Sequence, residues 1–104
     1  MSDQNNQPGV DNEPDGAEPI ELPINGVLDL HTFRPQELGD LVPGYLAECR
    51  ARGILEVRII HGKGIGNVRR SVHAILSRLP EVEAFSEASL LFGGAGATMV
   101  RLRK

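Results

Sequence analysis

At 104 residues and 40% apolar, the chain has room for one domain with one modest core. Its formal charge of −3 is unevenly spread, with six acids and no base in residues 1–26 and 11 bases against 8 acids after them. A single cysteine excludes an internal disulfide and fits a reducing compartment, and no stretch reads as a membrane span or a secretion leader, so the expected setting is soluble and cytoplasmic.

Residues 1–24 are rich in Asn, Asp, Gln, Gly, Pro and Glu and offer almost nothing to bury. Such a segment cannot offset its ordering entropy, so it is expected to be a disordered acidic tail ahead of a mildly basic domain over residues 25–104.

Residues 27–31, VLDLH, read as a first strand. Over 36–52, Leu38, Leu41, Val42, Tyr45, Leu46 and Cys49 recur at the spacing of one helical face. Pro35 fits the first turn, Gly53 fits the position just past the end, and Pro43 is expected to kink the helix. Cys49, on the apolar face, reads as a core residue rather than a nucleophile.

Residues 54–61, ILEVRIIH, are β-branched and apolar enough for a second strand, and a glycine-rich turn follows. A second helix over 67–79 places Val68, Val72, Ile75, Leu76 and Leu79 together and ends at Pro80. Residues 82–91 read as a third strand, Gly93 to Gly96 as a turn, and 97–102 as a fourth strand hairpinned to the third.

A right-handed crossover makes the first two strands parallel, which brings their carboxyl ends to one sheet edge, where ligands of open α/β sheets bind. That edge gathers Asp29, His31 and the string His61-Gly62-Lys63-Gly64-Ile65-Gly66. An Asp two residues before a His can orient the imidazole for proton transfer, either activating a 2′-hydroxyl or protonating a leaving oxygen. Gly62, Gly64 and Gly66 let the backbone approach an anion, Lys63 adds a mobile charge, and Arg69, in the first helical turn, adds a forked donor. The string is neither a nucleotide P-loop nor a dinucleotide fingerprint.

Two His and one Asp make a thin metal set, so a structural metal is not expected, while a transient divalent ion such as Mg or Mn could accompany the phosphate. His73 reads as a surface or half-buried helix residue away from the edge. Among the few aromatics, Tyr45 and Phe85 read as core, and Phe33 and Phe92 as the two placed to stack on a base. Arg101, Arg103 and Lys104 could touch a nucleic-acid backbone without sequence preference.

Taken in order, Leu28-Asp29-Leu30-His31, the run Ile59 to Gly66, Val68-Arg69 and Gly93 to Thr98 resemble the Smr (small MutS-related) domain. The resemblance covers roughly residues 27–102. It implies a two-layer α/β sandwich, βαβαββ, with a mixed four-stranded sheet and two helices on one face, like the C-terminal domain of translation initiation factor 3. It further implies a nucleic-acid partner, since several members nick DNA or cleave RNA, some on ribosome-associated messenger RNA, while others only bind. By the family's motifs, Asp29 and His31 are the catalytic pair, His61 assists as a second acid or base or shapes the turn, and the glycine loop holds substrate. The common pattern has Gly after LDLH, where this chain has Thr32; its side chain narrows the approach or supplies a hydroxyl. The expectation is an endonuclease acting as a monomer, the alternative a non-catalytic nucleic-acid- or ribosome-binding module; a third reading has the acidic tail cover the basic surface and compete with nucleic acid.

Overall fold

The computed structural model describes residues 22–64 and 66–104, so the expected disorder of the acidic tail falls on residues outside the described ones. Within them the chain forms strand β1 (Val27–Asp29), helix α1 (Leu38–Ala51), strand β2 (Glu56–Ile60), helix α2 (Asn67–Ser77) and strands β3 (Val82–Glu87) and β4 (Ala97–Leu102). The four strands make one mixed sheet in the order β1-β2-β4-β3. β1 and β2 are parallel, with Leu28 opposite Ile59, and β4 runs antiparallel to both β2 and β3. The expected βαβαββ order and mixed four-stranded sheet with two helices are the observed ones.

Alternation decides which face is covered. Leu28, Val57, Ile59, Val100 and Leu102 point to one side and are buried with Leu38, Val42, Leu46 and Cys49 of α1 and Val72 and Leu76 of α2. Fully burying each such side chain contributes about 1.5–3 kcal/mol before entropy is counted. The opposite face carries Glu56, Arg58, Met99 and Arg101, with Arg101 paired to Glu56 at 3.1 Å. Cys49 is completely buried, and burial pushes its thiol pKa up, as its place on the apolar helix face predicts.

Several boundaries differ from the sequence expectations, each for a local reason. β1 stops at Asp29, although Leu30 still donates to the Ile60 carbonyl at 2.9 Å. α1 runs as one helix through Pro43, which has no N–H to offer the Gly39 carbonyl. A 3-10 turn, Pro35–Glu37, leads into α1. At its other end Gly53 adopts φ +78, Ile54 donates to the Cys49 carbonyl and Gly53 to that of Arg50, which is the expected glycine stop. β3 ends at Glu87 rather than residue 91: Ala88 still donates to the Ala97 carbonyl at 3.1 Å, and Leu90–Phe92 then form an exposed 3-10 turn that Gly93 (φ +114) closes.

Packing also reaches ahead of β1. Leu22 and Ile24 pack against the core, and the Tyr45 hydroxyl fastens the entry to β1 by accepting the Gly26 N–H at 3.2 Å and donating to the Val27 carbonyl at 3.0 Å. Gly26 has φ +91, and a Cβ there would crowd Ile54 and the Glu56 carbonyl. Among the described residues no helix is long and apolar enough to cross a membrane.

Candidate functional site

The end of β1 presents the first functional pair. Asp29 is the last strand residue, and the chain turns at His31, whose backbone N–H donates to Asp29 Oδ1 at 3.0 Å. The same oxygen lies 2.5 Å from His31 Nδ1. A carboxylate can only accept, so Nδ1 carries the hydrogen and the Nε2 lone pair is left free. Hydrogen bonding from the His31 backbone lowers the Asp29 pKa, opposed by slight burial and helped by the imidazole, so the carboxylate form is favoured. Both side chains are well exposed.

β2 delivers the second element. Beyond Ile60 the chain enters the glycine loop, and two backbone bonds tie it to the β3–β4 connection: His61 and Gly62 both donate to the Gly96 carbonyl, at 3.0 and 2.9 Å. Gly96 is close enough that an added Cβ would sit 3.6 Å from the Lys63 side chain and from Gly62. The second glycine cluster is thus the floor under the first, which follows from β2 and β4 being antiparallel neighbours.

Gly62 (φ +81) is where the two elements meet. The nearest atom to a Cβ built there is His31 Nε2, at 3.6 Å. The free nitrogen of the Asp–His pair therefore faces the start of the glycine loop. Past it, Gly62, Lys63, Gly64 and Gly66 form a groove with Pro35, His61, Asn67, Val68 and Arg69. Gly66, at φ +86, is the N-cap of α2, and Lys63 and Arg69 are exposed. The first turn of α2 holds no acid but does hold Arg69 and Arg70, an unfavourable arrangement at the positive end of a helix that a bound anion relieves. Arg70 is turned back onto Asn67 Oδ1 at 2.5 Å, which leaves Arg69 as the forked donor beside the groove.

The expected site residues therefore fall into two adjoining groups. Asp29, His31 and Gly62 come together at the strand end, and His61, Lys63, Gly64, Gly66 and Arg69 line the groove with Gly62. Thr32 is exposed in the turn after His31 and does not line that groove. Among the described residues, no three His, Cys, Asp or Glu gather as a metal-binding group.

His61 is buried, and both its ring nitrogens are engaged within the fold: Nδ1 lies 2.9 Å from the Gly62 carbonyl and Nε2 2.8 Å from Thr98 Oγ1. His73, expected to lie apart from this edge, reaches the same Thr98 oxygen through Nε2 at 2.9 Å. Its pKa is lowered, first by burial and then by Arg69 and His61. The sequence expectation sets His73 apart from the site and gives Thr98 no role. A usable signal existed: Thr98 stands between Ala97 and Met99 on the face of β4 that also carries Val100 and Leu102, and a polar side chain facing a core needs a partner. Phe33 packs against the core rather than standing free to stack, whereas Phe92 is exposed, with the Arg58 guanidinium 5.5 Å from its ring centre. Of the basic C-terminal residues, Arg101 is held by Glu56 and Arg103 donates to the Pro80 carbonyl.

Comparison with known proteins places this geometry. The family model for the Smr domain matches residues 28–103. The chain is 39% identical over 75 residues to the endonuclease MutS2 of Helicobacter pylori, covering 72% of this chain and 10% of that protein. It is 41% identical over 80 residues to endonuclease MutS2 of Clostridium tetani, covering 77% and 10%. It thus spans about a tenth of the length of these curated relatives. Among solved structures, the Smr domain of Thermus thermophilus MutS2 superposes with a TM-score of 0.72 at 36% identity, covering 77% of this chain and all of that one. YdaL, a stand-alone small MutS-related protein from Escherichia coli, gives 0.68 at 34% identity, covering 76% and 65%.

Proposed function

The chain belongs to the Smr domain family, and from that premise we propose that it is an endonuclease that holds a nucleic-acid phosphate in the glycine-loop groove and cleaves the adjoining phosphodiester with the Asp29–His31 pair. The observation that carries this reading is the orientation of His31. Asp29 fixes Nδ1–H, and the free Nε2 faces Gly62, the first residue of the groove. On RNA, Nε2 takes the proton of a 2′-hydroxyl as that oxygen attacks the neighbouring phosphorus; the bond to the 5′-oxygen breaks, and that oxygen leaves with a proton from water, giving a 2′,3′-cyclic phosphate. On DNA, a water supplies the attacking oxygen and the same nitrogen accepts its proton, while one P–O ester bond of the strand breaks and the departing oxygen takes a proton from solvent.

The groove supplies position and charge. Lys63 and Arg69, with the amino end of α2, neutralise the phosphate, and such contacts give affinity without reading sequence. His61 has no free ring nitrogen, which favours its turn-shaping role over direct acid–base work. Thr32, exposed beside His31, borders the approach of the strand to be cut. A magnesium or manganese ion, where one takes part, rides on the phosphate. The relatives named endonuclease MutS2 support nuclease chemistry, and a cytoplasmic monomer acting on DNA or RNA, with the ribosome as a further RNA partner, completes the proposal.

The alternative is a module that binds through the same groove and does not cut; Thr32, standing where the family pattern has Gly, favours it. The test is a cleavage assay on supercoiled DNA and on structured RNA, with and without chelator, comparing wild type with His31→Ala. Product from wild type alone supports the nuclease. Equal product from both proteins removes His31 from the chemistry. Salt-sensitive binding by both with no product over long incubation establishes the binding module, and loss of product with chelator assigns the ion.

A further inference from the structure

Thr98 is a polar side chain with 0% exposure, and its hydroxyl sits between two imidazole nitrogens, His61 Nε2 at 2.8 Å and His73 Nε2 at 2.9 Å. Every bond in this set can be given a direction by starting from one end. The Gly62 carbonyl only accepts, so His61 Nδ1, 2.9 Å away, carries the hydrogen. His61 Nε2 is then a lone pair, so the Thr98 hydroxyl donates to it. The Thr98 oxygen has given its only hydrogen, so His73 Nε2 must donate to Thr98. The chain runs from α2, through β4, to the end of β2, and finishes on a backbone carbonyl of the glycine loop.

We propose that Thr98 and His73 are positioning residues for the glycine loop: the sequence His73 Nε2–H to Thr98 Oγ1, Thr98 O–H to His61 Nε2, and His61 Nδ1–H to the Gly62 carbonyl holds Gly62 in the conformation from which Lys63 and Gly64 are presented to a phosphate. This rests on the proposed function in taking that loop as the element that grips substrate. It goes beyond it in assigning two residues that touch no substrate.

Three observations carry the inference. Gly62 is pinned at both ends, because its N–H is also bound, to the Gly96 carbonyl at 2.9 Å. Its φ of +81 lies in the left-handed region. Lys63 and Gly64, which follow directly, are exposed and line the groove. A residue with both backbone groups held internally, next to two that are open to solvent, is the arrangement of a fixed root bearing a free tip.

The direction requires only that His61 Nε2 stay a lone pair, since His73 donates from Nε2 whether or not its Nδ1 also carries a hydrogen. The charged groups facing His73 are Arg69 from its own helix and His61, once protonated, from the end of β2; Thr98 from β4 and Phe85 from β3 are uncharged. Burial with these neighbours lowers the His73 pKa and keeps its ring neutral near pH 7.

The test compares full-length wild type with Thr98→Val, Thr98→Ser and His73→Phe. Imidazole nitrogen NMR on wild type is expected to show His61 protonated at Nδ1 and His73 at Nε2. Thr98→Val keeps the shape of the side chain and removes both bonds, so His61 Nε2 should lose its donor and its nitrogen shift should move, while Nδ1–H stays on the Gly62 carbonyl. The Gly62 and Lys63 amides should then exchange faster, and affinity for a twenty-nucleotide oligo(dT) or oligo(U) probe should fall about threefold to tenfold. Thr98→Ser should restore all three readouts. His73→Phe, which leaves β4 untouched, should show the same changes in smaller measure and serves where Thr98→Val does not fold. Unaltered His61 nitrogen shifts and amide exchange in both Thr98→Val and His73→Phe would overturn the proposal, as would a wild-type His61 protonated at Nε2 rather than Nδ1. Failure of wild type to bind either probe would instead overturn the substrate role of the loop, and the NMR readouts would still decide whether Thr98 and His73 hold it.

Discussion

Two histidine constellations flank Gly62, built from similar parts in opposite surroundings. In the Asp29–His31 pair the side chains are 57% and 64% exposed, and one ring nitrogen is left over. In the His61–Thr98–His73 set, His61 is 9% exposed, Thr98 is fully buried, and His61 has no nitrogen to spare. The difference teaches how to separate chemistry from support. An imidazole whose second nitrogen is unengaged at a surface can act on a ligand, whereas one whose nitrogens both end inside the fold fixes geometry. The exposed pair should be expendable for folding and essential for turnover, whereas the buried set should matter first for folding and touch function only through the loop it holds.

The sharpest way to break that contrast is at His31. His31→Ala is expected to lower cleavage by at least about 10²–10⁴-fold, the usual weight of a positioned acid–base group. It should leave the thermal midpoint within the small range typical of surface changes. A large fall in the midpoint would place His31 with the buried set.

Next comes Thr98→Val, read by denaturant unfolding. Leaving two imidazole nitrogens without their partner should destabilise the domain by about 1–3 kcal/mol, while Asp29→Asn, on an exposed carboxylate, should scarcely move the unfolding midpoint. Equal stability losses at the two positions would erase the distinction between them.

Acid titration separates the groups in a third way. The folded pKa of His73 lies below its unfolded value of about 6.5. The unfolded chain therefore binds the proton more readily, and the His73 contribution is whole above about pH 6.5 and lost as pH falls from there toward the lowered value. Asp29, whose pKa is lowered mainly by the His31 backbone N–H, acts only in the more acidic range, below about pH 4. His73→Phe should flatten the loss of stability in the first of these ranges, just below about pH 6.5, which circular dichroism melts at stepped pH would show.

The smallest effects belong to the groove and the acidic segment. Lys63→Ala should weaken oligonucleotide binding alike on all sequences and reduce the salt slope by about one unit. Removing residues 1–21, which hold six acids and no base, should tighten binding at low salt and change nothing near about 1 M, where the Debye length is about 3 Å. An unchanged affinity at low salt would dismiss any competition by that segment.

The element order, the helical faces and the convergence of LDLH with HGKG were legible because each depends on local periodicity or on a simple crossover rule. Leu38, Val42, Tyr45, Leu46 and Cys49 are buried as their spacing requires. What could not be read were features that depend on space rather than spacing. The apolar run Leu90-Leu91-Phe92 looks like a strand end, yet it is an exposed turn, since burial of an apolar residue depends on what lies opposite. Thr98 looks like an ordinary β-branched strand residue, and His73 like a polar helix position. Only the register of β4 beside β2, with α2 above it, brings their polar atoms to one another and to His61.

Cys49 gives the core a reporter of its own. It is the single cysteine of the chain, buried completely between α1 and the sheet, with its thiol held toward the unreactive protonated form. A thiol reagent can therefore reach it only when the helix lifts from the strands. Its labelling rate would act as a clock for opening of the molecule, ranking the variants above without a tag, a dye or a denaturant.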